Sequence, residues 1–143
     1  LHDIGKFISI KKHYVHSHYI IKNSDILGLT NYEHSLIAII ALFHSTMVPN
    51  SKSEYYRDLL PSERVRVSKL IAILRLADSL HSSHIKKFDK VSVKIKGKQI
   101  IITVYTIENT IYEEWTFNNK RSFFEDVFGL RPIFKKKLVN LYE

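Results

Sequence analysis

Cysteine is absent from the 143 residues. That excludes disulfide scaffolds, thiol nucleophiles and zinc sites built on thiolates, and it suits a reducing compartment. Proline (3) and glycine (4) are scarce, which excludes collagen-like and linker-rich architectures. Long hydrophobic runs are missing too. The longest, Leu36 to Phe43, is far short of the roughly 20 residues that span a bilayer. No signal peptide is readable at the start, so a cytoplasmic location and no membrane partner are expected. What remains is ordinary globular composition, 45% apolar and 25% charged, enough for one domain with at most a small appendage.

Charge is abundant and uneven. The net formal charge is +8. Lys86, Lys87, Lys90, Lys94, Lys96 and Lys98 crowd one segment against Asp89 alone, and Arg131, Lys135, Lys136 and Lys137 crowd another against Glu143. Such clusters concentrate polyanions, although solvated strand faces and basic tails have the same composition. Inorganic polyphosphate, nucleic acid and acidic protein surfaces all fit. Nucleic acid ranks last, because few aromatics stand among the lysines of 86–98 and no known reader motif is present.

Hydrophobic spacing predicts a helix over 13–23, from Val15, Tyr19 and Ile20. Asn23-Ser24-Asp25 and Gly28 end it. Thr30 with Glu33 three residues on is a capping-box signature. The nearly all-apolar run behind it predicts a central, buried helix. A loop at 49–53 precedes a second long helix, about 62–81. Beyond residue 87 the texture changes. Val91, Val93 and Ile95 alternate with polar residues as a strand, and Gly97-Lys98 predicts a turn. Residues 100–105 read as a second strand and 112–117 as a third. A short helix is expected over 122–127, ended by Gly129. The expected class is α+β, with a helical part over 1–87 and a small antiparallel sheet with one helix over 88–143.

Polar groups on apolar faces mark the candidate chemistry. Asp78 lies one turn after Leu74 and two turns after Leu70 and Ile71, on the apolar side of its helix. An isolated carboxylate there costs several kcal/mol, so it must be protonated, paired or bound to a cation. His44 ends the most buried helix. His2-Asp3 opens the chain and Gly5 closes off the pair. Imidazole and carboxylate are the usual ligands of Zn, Mn and Fe, and such a metal would polarise a phosphoryl oxygen and acidify a bound water. The plainer alternatives are a satisfied cap for His44 and a hydrogen-bonded carboxylate for Asp78. His18 and His34 read as surface or packing residues, and His81 and His84 as caps of helix carbonyls.

Leu-His-Asp-Ile-Gly (1–5) resembles the centre of the HD-domain signature of metal-dependent phosphohydrolases. LHDIGKFIS, HYVHSHYIIKNSDILGL, LIAIIALFH, LIAILRLADSLHSSH and VFG follow one another as in the exopolyphosphatase / guanosine pentaphosphate phosphatase (Ppx/GppA) family. They resemble its C-terminal HD-like helical region. The resemblance implies a phosphoanhydride hydrolase whose catalysis resides in an actin-like N-terminal region with a divalent cation, Mg or Mn. The HD-like part is then expected to bind polyphosphate and to help form a homodimer. By matching position, His2, Asp3 and Asp78 are the candidate metal ligands, for Zn or Fe if the HD site is intact. Its first histidine is expected before Leu1. His13, His16 and His44 match the later histidines and, with Arg75, are the candidate polyphosphate contacts. Ser45 stands where relatives often carry a basic residue, as do His81 and Ser82 where charged residues are common. A stand-alone metal-dependent phosphohydrolase acting on a nucleotide or phosphoester is the alternative.

Overall fold

A computed structural model of the chain describes residues 1–139, in two compact units, Leu1–Ile71 and Ala72 onward. The class is α+β. Among the described residues no helix is long and apolar enough to cross a membrane.

The first unit opens with a 3₁₀ turn, Ile4–Phe7, followed by α1, His13–Lys22. Helix α1 turns Ser17, His18 and Ile21 inward, while Val15 and Tyr19 are exposed. The predicted helix is present, but its inner face is not the one Val15 and Tyr19 suggested. Two small or polar residues occupy it, because His18 packs on Tyr55 and Ser17 bonds the turn below. Helix α2, Asn31–Leu42, starts as expected. Thr30 Oγ1 accepts from Glu33 N (3.2 Å) and Glu33 Oε2 accepts from Thr30 N (2.8 Å). Such a box contributes about 1 kcal/mol. Leu36, Ala38, Ile39, Ala41, Leu42 and Phe43 are all buried, so this helix is central to its unit. One further helical turn, α3 (Glu54–Arg57), follows the loop.

Burial of His18 has a consequence for acid stability. Desolvation, helped by the Lys22 ammonium, holds its imidazole below the ordinary histidine value. The unfolded ring takes up a proton near pH 6.5 and the folded one only below that. Stability is therefore full above about pH 6.5 and falls as the pH drops beneath it. In His18→Leu, urea midpoints should fall less between pH 7 and 5 than in the wild type. Equal slopes would show that the ring is solvated.

Helix α4, Pro61–Ser79, runs from the first unit into the second. Glu63 accepts from Leu60 N (2.7 Å) and fixes its start, and Val67 and Ile71 are buried. In the second unit Ala72 and Leu76 join Ile102, Phe117 and Phe124 in one core, with Leu80, Ile100 and Phe134 packed against it.

Strands β1 (Lys90–Lys96) and β2 (Gln99–Tyr105) form the predicted hairpin, antiparallel, with Gly97 at φ +59° in its turn. Two expectations are corrected beyond it. Residues 112–117 are not a strand, and 122–127 are not a separate short helix. Both belong to α5, Ile111–Phe128, which ends at left-handed Gly129 as anticipated. Its buried positions are Glu113, Phe117 and Phe124, a helical spacing hidden by a charged residue in the inner row. The sheet is also mixed rather than antiparallel. Its third strand, β3 (Arg131–Lys137), pairs parallel to β2, as a connection through a helix requires. The order is β1-β2-β3.

Candidate functional site

The site is built on the 3₁₀ turn. Gly5 lets that turn lie directly against α1. A Cβ there would strike His13 O, Ser17 N and, at 2.8 Å, His16 Cβ. The Gly5 N–H donates to Ser17 Oγ (2.9 Å) in the buried seam. This close approach carries Asp3 to the start of α1 and the end of α2.

Around the Asp3 carboxylate, Oδ1 lies 3.3 Å from His13 Nε2 and 3.2 Å from His44 Nε2. The two ring nitrogens are 3.1 Å from each other. Oδ2 accepts from Lys6 Nζ (2.7 Å) and lies 3.6 Å from His2 Nε2. The tautomers follow from the other ring nitrogens. His44 Nδ1–H donates to Ala41 O (2.6 Å) and His13 Nδ1–H to Ile10 O (3.2 Å), because carbonyls only accept. Each neutral ring therefore aims an Nε2 lone pair inward. Three acceptor atoms converge, and only a proton or a cation reconciles them. Tetrahedral ligands at Zn–N distances of about 2.0–2.1 Å stand roughly 3.3 Å apart, so the triangle has the edge length of a metal site. His2, Asp3 and His44 offer ligand atoms all within 4.8 Å of one another.

Burial opposes ionisation of Asp3, but the Lys6 hydrogen bond and the electrostatic influence of His2, Lys6 and His44 outweigh it. The carboxyl sits below its usual range. The folded state thus holds fewer protons than the unfolded one in acid. The stability this contributes is present above about pH 4 and disappears as the pH falls through the lowered value.

Four of the residues singled out from the sequence, His2, Asp3, His13 and His44, therefore meet in the first unit. His16 stays on α1 beside them, half-buried, with its Cβ over Gly5. Lys6 is a participant the sequence reading missed. Its signal was a base three residues after Asp3, which a single tight turn brings back to it. The other two candidates lie in the second unit. Asp78 pairs with Lys120 Nζ at 2.5 Å. Arg75 is buried with its guanidinium over Phe123, 6.0 Å from the ring centre. Burial lowers the Arg75 pKa while Asp78 raises it. Asp78 is thus paired, one of the ways in which a carboxylate on an apolar face is tolerated, and part of its partner is a lysine on α5.

Residues 1–121 match the sequence model of Ppx/GppA phosphatase, domain III. The chain belongs to the Ppx/GppA phosphatase family. Over 77 residues, 54% of this chain, it is also 32% identical to guanosine-5'-triphosphate,3'-diphosphate pyrophosphatase of Pseudoalteromonas translucida (strain TAC 125). That match spans only 15% of the relative's length. In this Ppx/GppA chain the domain III match covers the whole Asp3 cluster and both α4 candidates, and it ends within α5.

Proposed function

We propose that the chain is the domain III part of a phosphoanhydride hydrolase and that it holds a phosphate polyanion. Polyphosphate or a guanosine pentaphosphate is the substrate class. Catalysis would rest with an actin-like region of the whole protein and its divalent cation. The observation that carries this reading is domain III membership across the residues that build the Asp3 cluster. There, Lys6 and the imidazoles, once protonated at Nε2, would present N–H donors to anionic oxygens, as a repeating chain of phosphates demands. His13, His16 and His44 are the proposed contacts. Many weak ionic contacts suit a flexible polymer and are screened by salt. Long-chain polyphosphate titrated into the full-length protein should bind at low ionic strength and be released as salt rises. No binding at low salt would remove the role. The proposed dimer contact rests on the same family likeness, and a full-length protein that sediments as a monomer would dismiss it.

One observation favours a second reading. The triangle of Asp3 Oδ1, His13 Nε2 and His44 Nε2, 3.1–3.3 Å on each side, has sides close to the ligand spacing about a transition metal. Asp3, His13 and His44 would hold the ion, with His2 alongside. Bound there, a metal would supply Lewis acidity toward a phosphoryl oxygen. His44→Ala should then lower zinc or manganese content at least tenfold in elemental analysis. A protein that keeps no metal after reconstitution returns the cluster to phosphate binding alone.

A further inference from the structure

The sheet of the second unit has two unlike faces. One carries Ile100, Ile102, Val104, Pro132 and Phe134 and supplies the core. The other is fixed by the same register. Lys90, Tyr105 and Lys137 stand in one row across the strands, then Ser92, Thr103 and Lys135, then Lys94, Ile101 and Ile133, then Lys96, Gln99 and Arg131. Side chains directly opposite one another project to the same face. Lys90, Lys94 and Lys96 therefore line one side and Arg131, Lys135 and Lys137 the other, all exposed, with no carboxylate among these twelve positions.

The dimensions suit a chain rather than a single anion. Same-face residues repeat about every 7 Å along a strand, and the outer strands lie about 10 Å apart. The cations thus form two banks roughly 20 Å long beside a floor of Gln99, Ile101, Thr103 and Tyr105. Two segments that look in the sequence like a lysine-rich strand and a basic tail are joined here into one trough, because β3 returns parallel to β2.

We propose that this sheet face is a second binding surface, one that holds a linear polyanion of closely spaced phosphates along the trough. The inference rests on the phosphate-polymer reading above and adds a place for the polymer outside the Asp3 cluster. A nucleic acid fits less well. The trough has one aromatic, Tyr105, and the Lys90 and Lys137 ammoniums already sit 5.7 and 6.0 Å from its ring centre. Bases would find no free platform on which to stack. Bare phosphates need none.

Tyr105 also reports on the trough. Its hydrogen bond with Ser92 and the charges of Lys137, Lys90 and Lys94 hold the phenol below its ordinary value, burial opposing them. A polyanion laid between the lysines cancels that field, and the phenol should titrate higher when the trough is filled.

The test compares the full-length wild type with Lys94→Glu/Lys135→Glu and with His13→Ala/His44→Ala. Lys94 and Lys135 are exposed, so the sheet variant should fold, which circular dichroism checks. It should bind long-chain polyphosphate at least about tenfold more weakly at 50 mM salt, with a salt dependence shallower by roughly two ions. Polyphosphate should also raise the Tyr105 titration, assigned by difference from Tyr105→Phe. If the sheet variant binds as the wild type does while the histidine variant loses binding, the trough is overturned and the domain reading survives. If the wild type binds no polyphosphate, both fall. If poly(U) binds more tightly than polyphosphate of equal charge, the trough's assigned ligand is wrong.

Discussion

Gly5→Ala is expected to lower the stability of the first unit by about 3–5 kcal/mol, a large share of the 5–15 kcal/mol typical of a domain. The added methyl has nowhere to go. Its neighbours would be His13 O and Ser17 N, main-chain atoms of α1, and not the ends of flexible side chains. Either the 3₁₀ turn or the helix must withdraw. Overpacking of this kind costs about 1–3 kcal/mol and occasionally more. Withdrawal also breaks the buried Gly5 N to Ser17 Oγ bond, at about 1–3 kcal/mol for the unpaired groups. The same movement opens the Asp3–His13–His44 triangle, so ligand binding should weaken with stability. Gly28→Ala is the control. Gly28 has φ +86° and nothing within 4 Å of a Cβ, so only the left-handed backbone penalty applies, about 1–2 kcal/mol. Urea midpoints measure both. If Gly5→Ala proves no worse than Gly28→Ala, the turn does not press on α1 as described.

How far the sequence leads depends on how local each signal is. Helix α2 is legible because Thr30, Glu33 and the apolar run are contiguous and agree with one another. The hairpin is legible for the same reason, with Val91, Val93 and Ile95 alternating into Gly97. Helix α5 is not, because Glu113 holds an inner position that a pattern reader assigns to a hydrophobe, while Tyr112 and Trp115 are exposed and stack on each other at 6.3 Å. That error propagates. With 112–117 taken as a strand, the helix bearing Lys120 disappears, and with it the lysine that pairs with Asp78. The Asp3 cluster shows the same contrast. Histidines and an aspartate near the chain start are visible as types. Their meeting is not, because it depends on how closely the turn approaches α1, which Gly5 alone permits. The basic trough depends on strand register and on the parallel return of β3, neither of which composition records.

The position that misled the sequence reading supports a second large effect. Glu113 is 1% exposed, and its Oε2 meets Lys87 Nζ at 3.1 Å. Lys87 Nζ also donates to Asn109 O (3.1 Å), and Thr106 Oγ1 donates to the Lys87 carbonyl. Lys87→Met should therefore cost about 3–5 kcal/mol at neutral pH, the range for stranding one charge of a buried pair. The pH dependence identifies the cause. In the wild type, burial pushes the Glu113 carboxyl up, but Ser83, the residue's own N–H and Lys87 hold it below its usual value. Its contribution is thus present above about pH 4.5 and lost as acid protonates it through the lowered value. Without Lys87, burial is expected to outweigh the remaining Ser83 and main-chain hydrogen bonds and to raise the folded pKa above the unfolded one. The variant then loses stability as the pH rises, so its deficit should shrink toward pH 4 and widen toward pH 7. Lys87→Met/Glu113→Gln removes both charges and should recover much of the loss, because no ion is left in the core. A deficit that is constant with pH, or a double variant worse than Lys87→Met alone, would mean that the lysine acts through its carbonyl partners and its stem and not through Glu113.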